Sequence, residues 1–209
     1  MEFNEVIDKR RTSREWTDRD VDFEVIKRII GAGMKAPSWD HYRNWQFIVL
    51  HTKEEKENDF GYAKYIADRF DLSKYENRKL NLVQKMYAYA MPRQYTMLID
   101  CPYVIVPLFK CSKLNAEWVS KLNPLTTAWR VAENMMLAVI NEGPGYSLRI
   151  PLNKEHNIVL DKLGVPGGWM TPCFIGIGYP KEDELVLEQY DSKPVSYTHL
   201  RAHETSAHL

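Results

Sequence analysis

Between Asn123 and Gly143 the chain reads NPLTTAWRVAENMMLAVINEG. The spacing predicts a helix. Asn123 is a favoured cap, Pro124 suits a first helical position, and Gly143 stands where a left-handed stop belongs. At the centre, Val131, Ala132, Met135, Met136, Leu137, Ala138, Val139 and Ile140 leave almost no polar face. A helix that is apolar nearly all round must be covered on every side. The cover has to come from the rest of the chain, from a second subunit, or from both.

The rest of the chain is long enough to supply much of it. With 209 residues, 44% of them hydrophobic, one compact domain with a real core is expected. No internal repeat and no Gly, Ser or Pro-rich linker divides it. Phe3 to Arg10 reads as a short helix. In VDFEVIKRIIGAGMKAP, residues Ile26, Ile29, Ile30, Gly33 and Met34 keep helical spacing, with Asp22 as N-cap and Pro37 as the stop. WQFIVLH (45–51) reads as a buried strand. Thr52 to Glu55 then form a capping box, so helical material should follow, to about residue 98. PYVIVPLF, GYSLRIP and PCFIGIGYP read as three further strands, and Asn153 to Leu163 as a helix ending at Gly164. Strands interleaved with helices give an α+β class with α/β-type layers, a small central mixed sheet flanked by helices.

Composition excludes several functions. Lys plus Arg (28) equal Asp plus Glu (28), so no global field draws the protein to nucleic acid or to a membrane surface. The longest apolar runs are too short to span a bilayer, and MEFNEVIDKRR lacks the apolar stretch of a secretory signal. Cys101, Cys111 and Cys173 are odd in number and widely spaced, which makes neither a disulfide framework nor a metal knuckle. A cytoplasmic protein without a metal site is expected. The last residues, with His199, His203 and His208, keep no amphipathic period, and SYTHLRAHET resembles translated sequencing-adaptor read-through. Residues 196–209 are therefore set aside as a non-native tail, leaving 1–195 as the domain.

No Walker loop, GxGxxG after a strand, GxSxG elbow or HExxH is present. Nucleotide hydrolysis, Rossmann cofactor binding and nucleophilic hydrolysis lose their usual support. Three segments carry what chemistry there is: KRRTSREW (9–16), KAPSWDHYRNWQF (35–47) and EGPGYSLRIP (142–151). Each also has a plain structural use. Arg10, Arg11 and Arg14 can offset a helix C-terminal dipole, Ala36-Pro37-Ser38 can end a helix, and Trp39 and Trp45 can pack in the core. Arg149 fits such a use least well, because a buried guanidinium needs an anion or several carbonyls.

In this order and spacing the three segments resemble the FMN-dependent nitroreductase family. Its opening motif is roughly R-R-S-x-R-x-F and its second roughly A-P-S-x-x-N-x-Q-P-W. LGVPGGWMTPCFIGIGYP is similar to the family's closing segment, so the resemblance runs from about residue 3 to 195. It implies a nitroreductase-like fold and an obligate homodimer with FMN at the interface. NADH or NADPH would be the donor and a small electron-poor molecule the acceptor, in a ping-pong cycle with no side-chain catalyst.

Residue by residue, the resemblance puts Arg10 and Thr12 on the flavin phosphate, with Lys193 joining from the C-terminal side. Arg11 lies alongside the flavin, and Arg14 reaches the pyrimidine edge, where a cation raises the reduction potential. Pro37, Ser38 and Trp39 wall the ring from the partner subunit, and the main chain of Ser147, Leu148, Arg149 and Ile150 approaches N5. His41 and Arg43 replace the usual Asn and Gln, which brings a titratable group and a charge to the cofactor. Halotyrosine deiodinases share this fold and carry Glu-x-x-x-Tyr in their lid. Here none of Glu54, Glu55, Glu57 and Glu76 has a tyrosine four residues on. A flavin store or sensor without turnover, a deiodinase, and an enzyme that fragments its own flavin with oxygen are the alternatives.

Overall fold

A computed structural model describes residues 1–76, 78–111 and 118–184. Lys193 and the 196–209 tail lie outside these described residues.

The alternation of β2 (Tyr103–Lys110) sets the architecture. Its successive side chains point to opposite faces of the sheet, and both faces are covered. Tyr103 and Ile105 enter one cluster with Ile26, Ile29, Val131 and Met135. Val104, Val106 and Leu108 enter another with Phe60, Met97, Leu98 and Val159. The result is three layers. Helices α1 (Phe3–Lys9), α2 (Phe23–Gly33) and α7 (Trp118–Glu142) cover one face. Helices α3 (Lys53–Asp59), α4 (Gly61–Asp68), α6 (Thr96–Ile99) and α8 (Asn153–Lys162) cover the other. Helix α5 (Leu82–Ala90) keeps Val83, Met86 and Tyr87 exposed.

The sheet runs β1-β2-β5-β3, with β1 at Trp45–Leu50, β3 at Gly145–Arg149 and β5 at Phe174–Gly178. The two-residue β4 (Trp169–Met170) pairs with the end of β2. Every ladder between these strands is antiparallel. The parallel component of the expected mixed sheet is an isolated bridge, Thr12 to Tyr146, on the free edge of β3.

Local signals held where a side chain makes the cap. Asp22 accepts from the Glu24 amide, Thr52 and Glu55 form their reciprocal box, and Gly143 (φ 109°) ends α7. Two expectations are corrected. Asn123-Pro124 does not start α7, which begins by Trp118 and takes Pro124 inside. The cost is one missing backbone donor near the helix start. Nor do Met135, Met136, Val139 and Ile140 form the subunit interface that their apolar surroundings in the sequence suggest. They are at most 8% exposed within the single chain, because α1, α2 and the sheet already enclose them.

Candidate functional site

The bridge to β3 is where the opening segment acquires its position. Ser13 N–H donates to Tyr146 C=O at 2.7 Å, Ser13 is 1% exposed, and Arg10 donates to the Tyr146 hydroxyl at 3.3 Å. Gly145 permits this approach. A Cβ there would stand 2.5 Å from Pro180 Cγ and 3.1 Å from Ser13 Oγ. The sequence places Arg10, Thr12 and Arg14 far from Ser147, Leu148, Arg149 and Ile150, and the fold sets the two groups side by side. Arg11 is exposed beside them.

Arg14 turns back on its own segment, donating from Nη1 to Thr12 C=O at 3.1 Å. Its backbone N–H donates to the Glu184 carboxylate. Two atoms here are buried without a partner among the described residues, Arg14 Nε and Glu184 Oε2. Burial pulls the Arg14 guanidinium below its ordinary pKa, partly offset by Glu184. Next to it, Tyr89 donates to Glu15 Oε2 at 2.7 Å. Burial, then Glu15, pushes that phenol up to about 12. Burial also raises the Tyr146 phenol, and Arg10 offsets part of the shift.

The side chain of Arg149 is already taken. It is 4% exposed and forms a bidentate pair with Glu155, 2.6 and 2.7 Å, while its third nitrogen donates to Gln94 at 2.7 Å. The anion it required is thus in the chain itself, and only the Arg149 main chain remains for a ligand. Ile150, the next residue, is 61% exposed.

The second segment lies elsewhere. Its ties run to α7 and β2: Trp39 N–H donates to Thr127 Oγ1 at 3.0 Å, and Asn44 C=O accepts from Lys110 N–H. Asp40 (φ 51°) and His41 (φ 55°) are consecutive left-handed residues, a conformation that strains side-chain-bearing residues. A cavity of about 250 Å³ opens beside them, lined by Trp39, Asp40, Tyr42, Asn44, Phe109 and Lys110 among others. Pro37, His41 and Arg43 are exposed and Ser38 half-buried. Within one chain these residues do not join the opening segment.

Sequence reasoning missed Glu15, Tyr89, Gln94, Met97, Tyr146, Glu155 and Glu184. Tyr146 stood inside a segment already singled out, and strand alternation could have marked it. Nothing in the local pattern marks the others, since each acts across the fold. Among the described residues no group of His, Cys, Asp or Glu could hold a metal, and no helix is long and apolar enough to cross a membrane.

The family model described as "Nitroreductase family" matches residues 7–179, so it spans both walls of this arrangement. The chain belongs to the nitroreductase family. Among its relatives is a protein of Methanothermobacter thermautotrophicus provisionally named NADH dehydrogenase/NAD(P)H nitroreductase. It is 40% identical over 195 residues, 91% of this chain and 84% of that protein. Iodotyrosine deiodinase 1 of Mus musculus is 33% identical over 202 residues, 89% of this chain, and the chain spans 65% of that longer protein. The solved structure of an oxidized iodotyrosine deiodinase, bound to FMN and 3-iodo-L-tyrosine, superposes with a TM-score of 0.71. It is 16% identical and covers 95% of this chain and 100% of its own, a likeness of fold. This nitroreductase-family chain therefore carries the family's α+β layers.

Proposed function

We propose that the protein is a homodimeric FMN oxidoreductase that accepts electrons from NADH or NADPH and passes them to an electron-poor small molecule, such as a nitroarene or a quinone. The observation that carries this reading is the junction of the opening segment with β3, where Ser13 and Arg10 meet Tyr146. Two segments assigned to one cofactor, and distant in sequence, are neighbours in space. The donor set suits a phosphate dianion, for which Arg forks and a hydroxyl are the natural partners. The orphaned, buried Arg14 Nε also suits a group that brings an acceptor.

In this reading Arg10 and Thr12 hold the phosphate, with Lys193 contributing from beyond the described residues, and Arg11 lies alongside the flavin. Arg14 is assigned to the pyrimidine edge, and the main chain of Ser147 to Ile150 to N5. When bound, FMN supplies hydride acceptance and donation at N5. The protein binds, orients and keeps water from the ring, and the cation of Arg14 favours the reduced, anionic form. Pro37, Ser38, Trp39, His41 and Arg43 serve the partner subunit's ring. That assignment accounts for their distance from the opening segment within one chain. Exposed apolar residues on this side, among them Phe3 (69%), Ile150 (61%) and Leu152 (52%), are surface for that partner to cover. Neither nucleic acid nor membrane enters this function.

Relatives named as iodotyrosine deiodinases favour a second reading, reductive dehalogenation on the same site. One experiment separates the readings. The yellow protein is reduced anaerobically with NADPH or NADH, and the visible band is followed as acceptors are added. Bleaching and recovery with a nitroarene or quinone is the expected result. Recovery only with 3-iodotyrosine selects the second reading. Bleaching without recovery by any acceptor leaves a flavin store, and loss of flavin in air indicates a flavin-fragmenting enzyme. A colourless protein that takes up no FMN refutes the proposal.

A further inference from the structure

Residues 89–97, from the last turn of α5 into α6, touch both walls of the proposed flavin slot. On the side of the opening segment, Tyr89 donates to Glu15 Oε2 at 2.7 Å, and Arg93 Nε lies 3.5 Å from the same oxygen. The Trp16 indole N–H donates to Met97 C=O at 2.9 Å. On the side of β3, the Ser147 hydroxyl donates to that same carbonyl at 3.2 Å, and Gln94 accepts from Arg149 at 2.7 Å. A carbonyl has two lone pairs, and Met97 gives one to each wall. The two walls, joined directly at Ser13 and Tyr146, are thus braced a second time by this short segment.

We infer that Glu15 is a positioning residue: through Tyr89 and Arg93 it clasps the opening segment to residues 89–97 and so holds Arg14 at its distance from β3. The inference rests on reading the slot as the flavin site. Glu15 sits between Arg14, the residue assigned to the ring, and Trp16, which is 5% exposed and anchored by its indole. Fixing residues 15 and 16 leaves the Arg14 backbone little freedom, and the Arg14 amide is held in addition by Glu184. Arg93 braces the clasp from behind. Its guanidinium stacks 4.1 Å over the Tyr89 ring, and its Nη1 donates to Tyr89 C=O at 3.0 Å.

The clasp is also the part of the junction that water reaches. The Glu15 and Arg93 side chains are 34% and 33% exposed, whereas Ser147 and Arg149 are buried. A simple exposed ion pair contributes little. A phenol donating to a carboxylate is charge-assisted and stronger, and it is this bond, rather than the longer Arg93 contact, that makes Glu15 the handle.

The test uses the FMN-loaded full chain with Tyr89→Phe, Glu15→Ala and their double variant. Each single change is expected to weaken FMN binding about tenfold, the size of one hydrogen bond to a charged group. Each should also alter the visible circular dichroism of the bound flavin. Because the two residues act through each other, the double variant should bind no worse than the weaker single. Glu15→Gln, which keeps an acceptor, should recover most of the loss. Additive losses, or a single variant with unchanged affinity and dichroism, overturn the inference. If even the wild-type chain takes up no FMN, the flavin reading fails, and the clasp is read on the apo-protein by trypsin. Cleavage after Lys85 and Arg93 should then be several-fold faster in Tyr89→Phe, and equal rates overturn the clasp.

Discussion

The opening segment and the 37–44 loop are both short, polar and rich in groups that bind anions or stack, yet the fold treats them differently. Ser13 and Trp16 are buried, and residues 13 to 17 are bonded to Tyr146, Glu184, Met97 and Tyr179. The loop has no buried residue from Pro37 to Asn44. Its hold on the rest of the chain runs through Thr127 and the end of β2, and two of its residues carry left-handed strain. The first region is fixed by many independent bonds, which suits a cofactor that must not move. The second is held at few points, which suits a surface whose chemistry can change without loss of the cofactor.

The largest expected effect breaks the fixed side. Arg149 and Glu155 are 4% and 0% exposed, and removing one partner of such a pair leaves a buried charge. Glu155→Ala should therefore lower stability by about 3 to 5 kcal/mol, read from urea unfolding of the apo-protein. A loss below about 1 kcal/mol would mean that water reaches Arg149, and that the β3 wall is no more rigid than the loop. Next in size is Arg10→Ala. If the opening segment holds the phosphate, FMN affinity should fall by about 2 to 4 kcal/mol by fluorescence titration. An unchanged affinity would remove the functional half of the contrast.

How far the sequence anticipates this division depends on how local each signal is. The caps at Asp22 and Thr52 and the stop at Gly143 were legible because a side chain or a glycine makes them within a few residues. The strands were legible from apolar runs, although β1, read as buried, lies at the sheet's edge with only Leu50 buried. Arg149 was marked as needing an anion by its charge in an apolar strand. Its partner Glu155 was not legible, because strand and helix pair only after folding. Pro124 misled for a related reason. Its fit to a first helical position is a local preference, and α7 takes it further inside, where only one backbone donor is lost. Met97 could not have been found at all, since a main-chain carbonyl has no sequence signature.

On the loop a smaller effect is expected. Asp40→Gly removes left-handed strain of about 1 kcal/mol but adds a comparable loss of unfolded-state restriction, about 0.5 to 1 kcal/mol. Stability should change by less than about 1 kcal/mol, with flavin content as in the wild type and a measurable change in KM for the acceptor. Loss of flavin in this variant would place the loop with the fixed region and erase the distinction.

The smallest effect lies at the boundary between α5 and the fixed wall, and its sign follows from Tyr89. That phenol is raised to about 12 from an ordinary 10.0, by burial first and by Glu15 second. Below pH 10 it is protonated in both the folded and the unfolded chain, and its contribution to stability is fully present. As the pH rises toward 12, the unfolded chain gives up this proton while the folded chain keeps it. The folded state then binds more protons, and stability falls with rising pH. Tyr89→Phe removes that dependence. Tyr146, Tyr95 and Tyr103 are raised as well, so the alkaline decline should become shallower in the variant without vanishing. Urea midpoints of wild type and Tyr89→Phe, taken from about pH 9 to about pH 11.5, should diverge at the lower end and converge at the upper. Parallel curves would show that water reaches the Tyr89 hydroxyl, and that the fixed region stops short of α5.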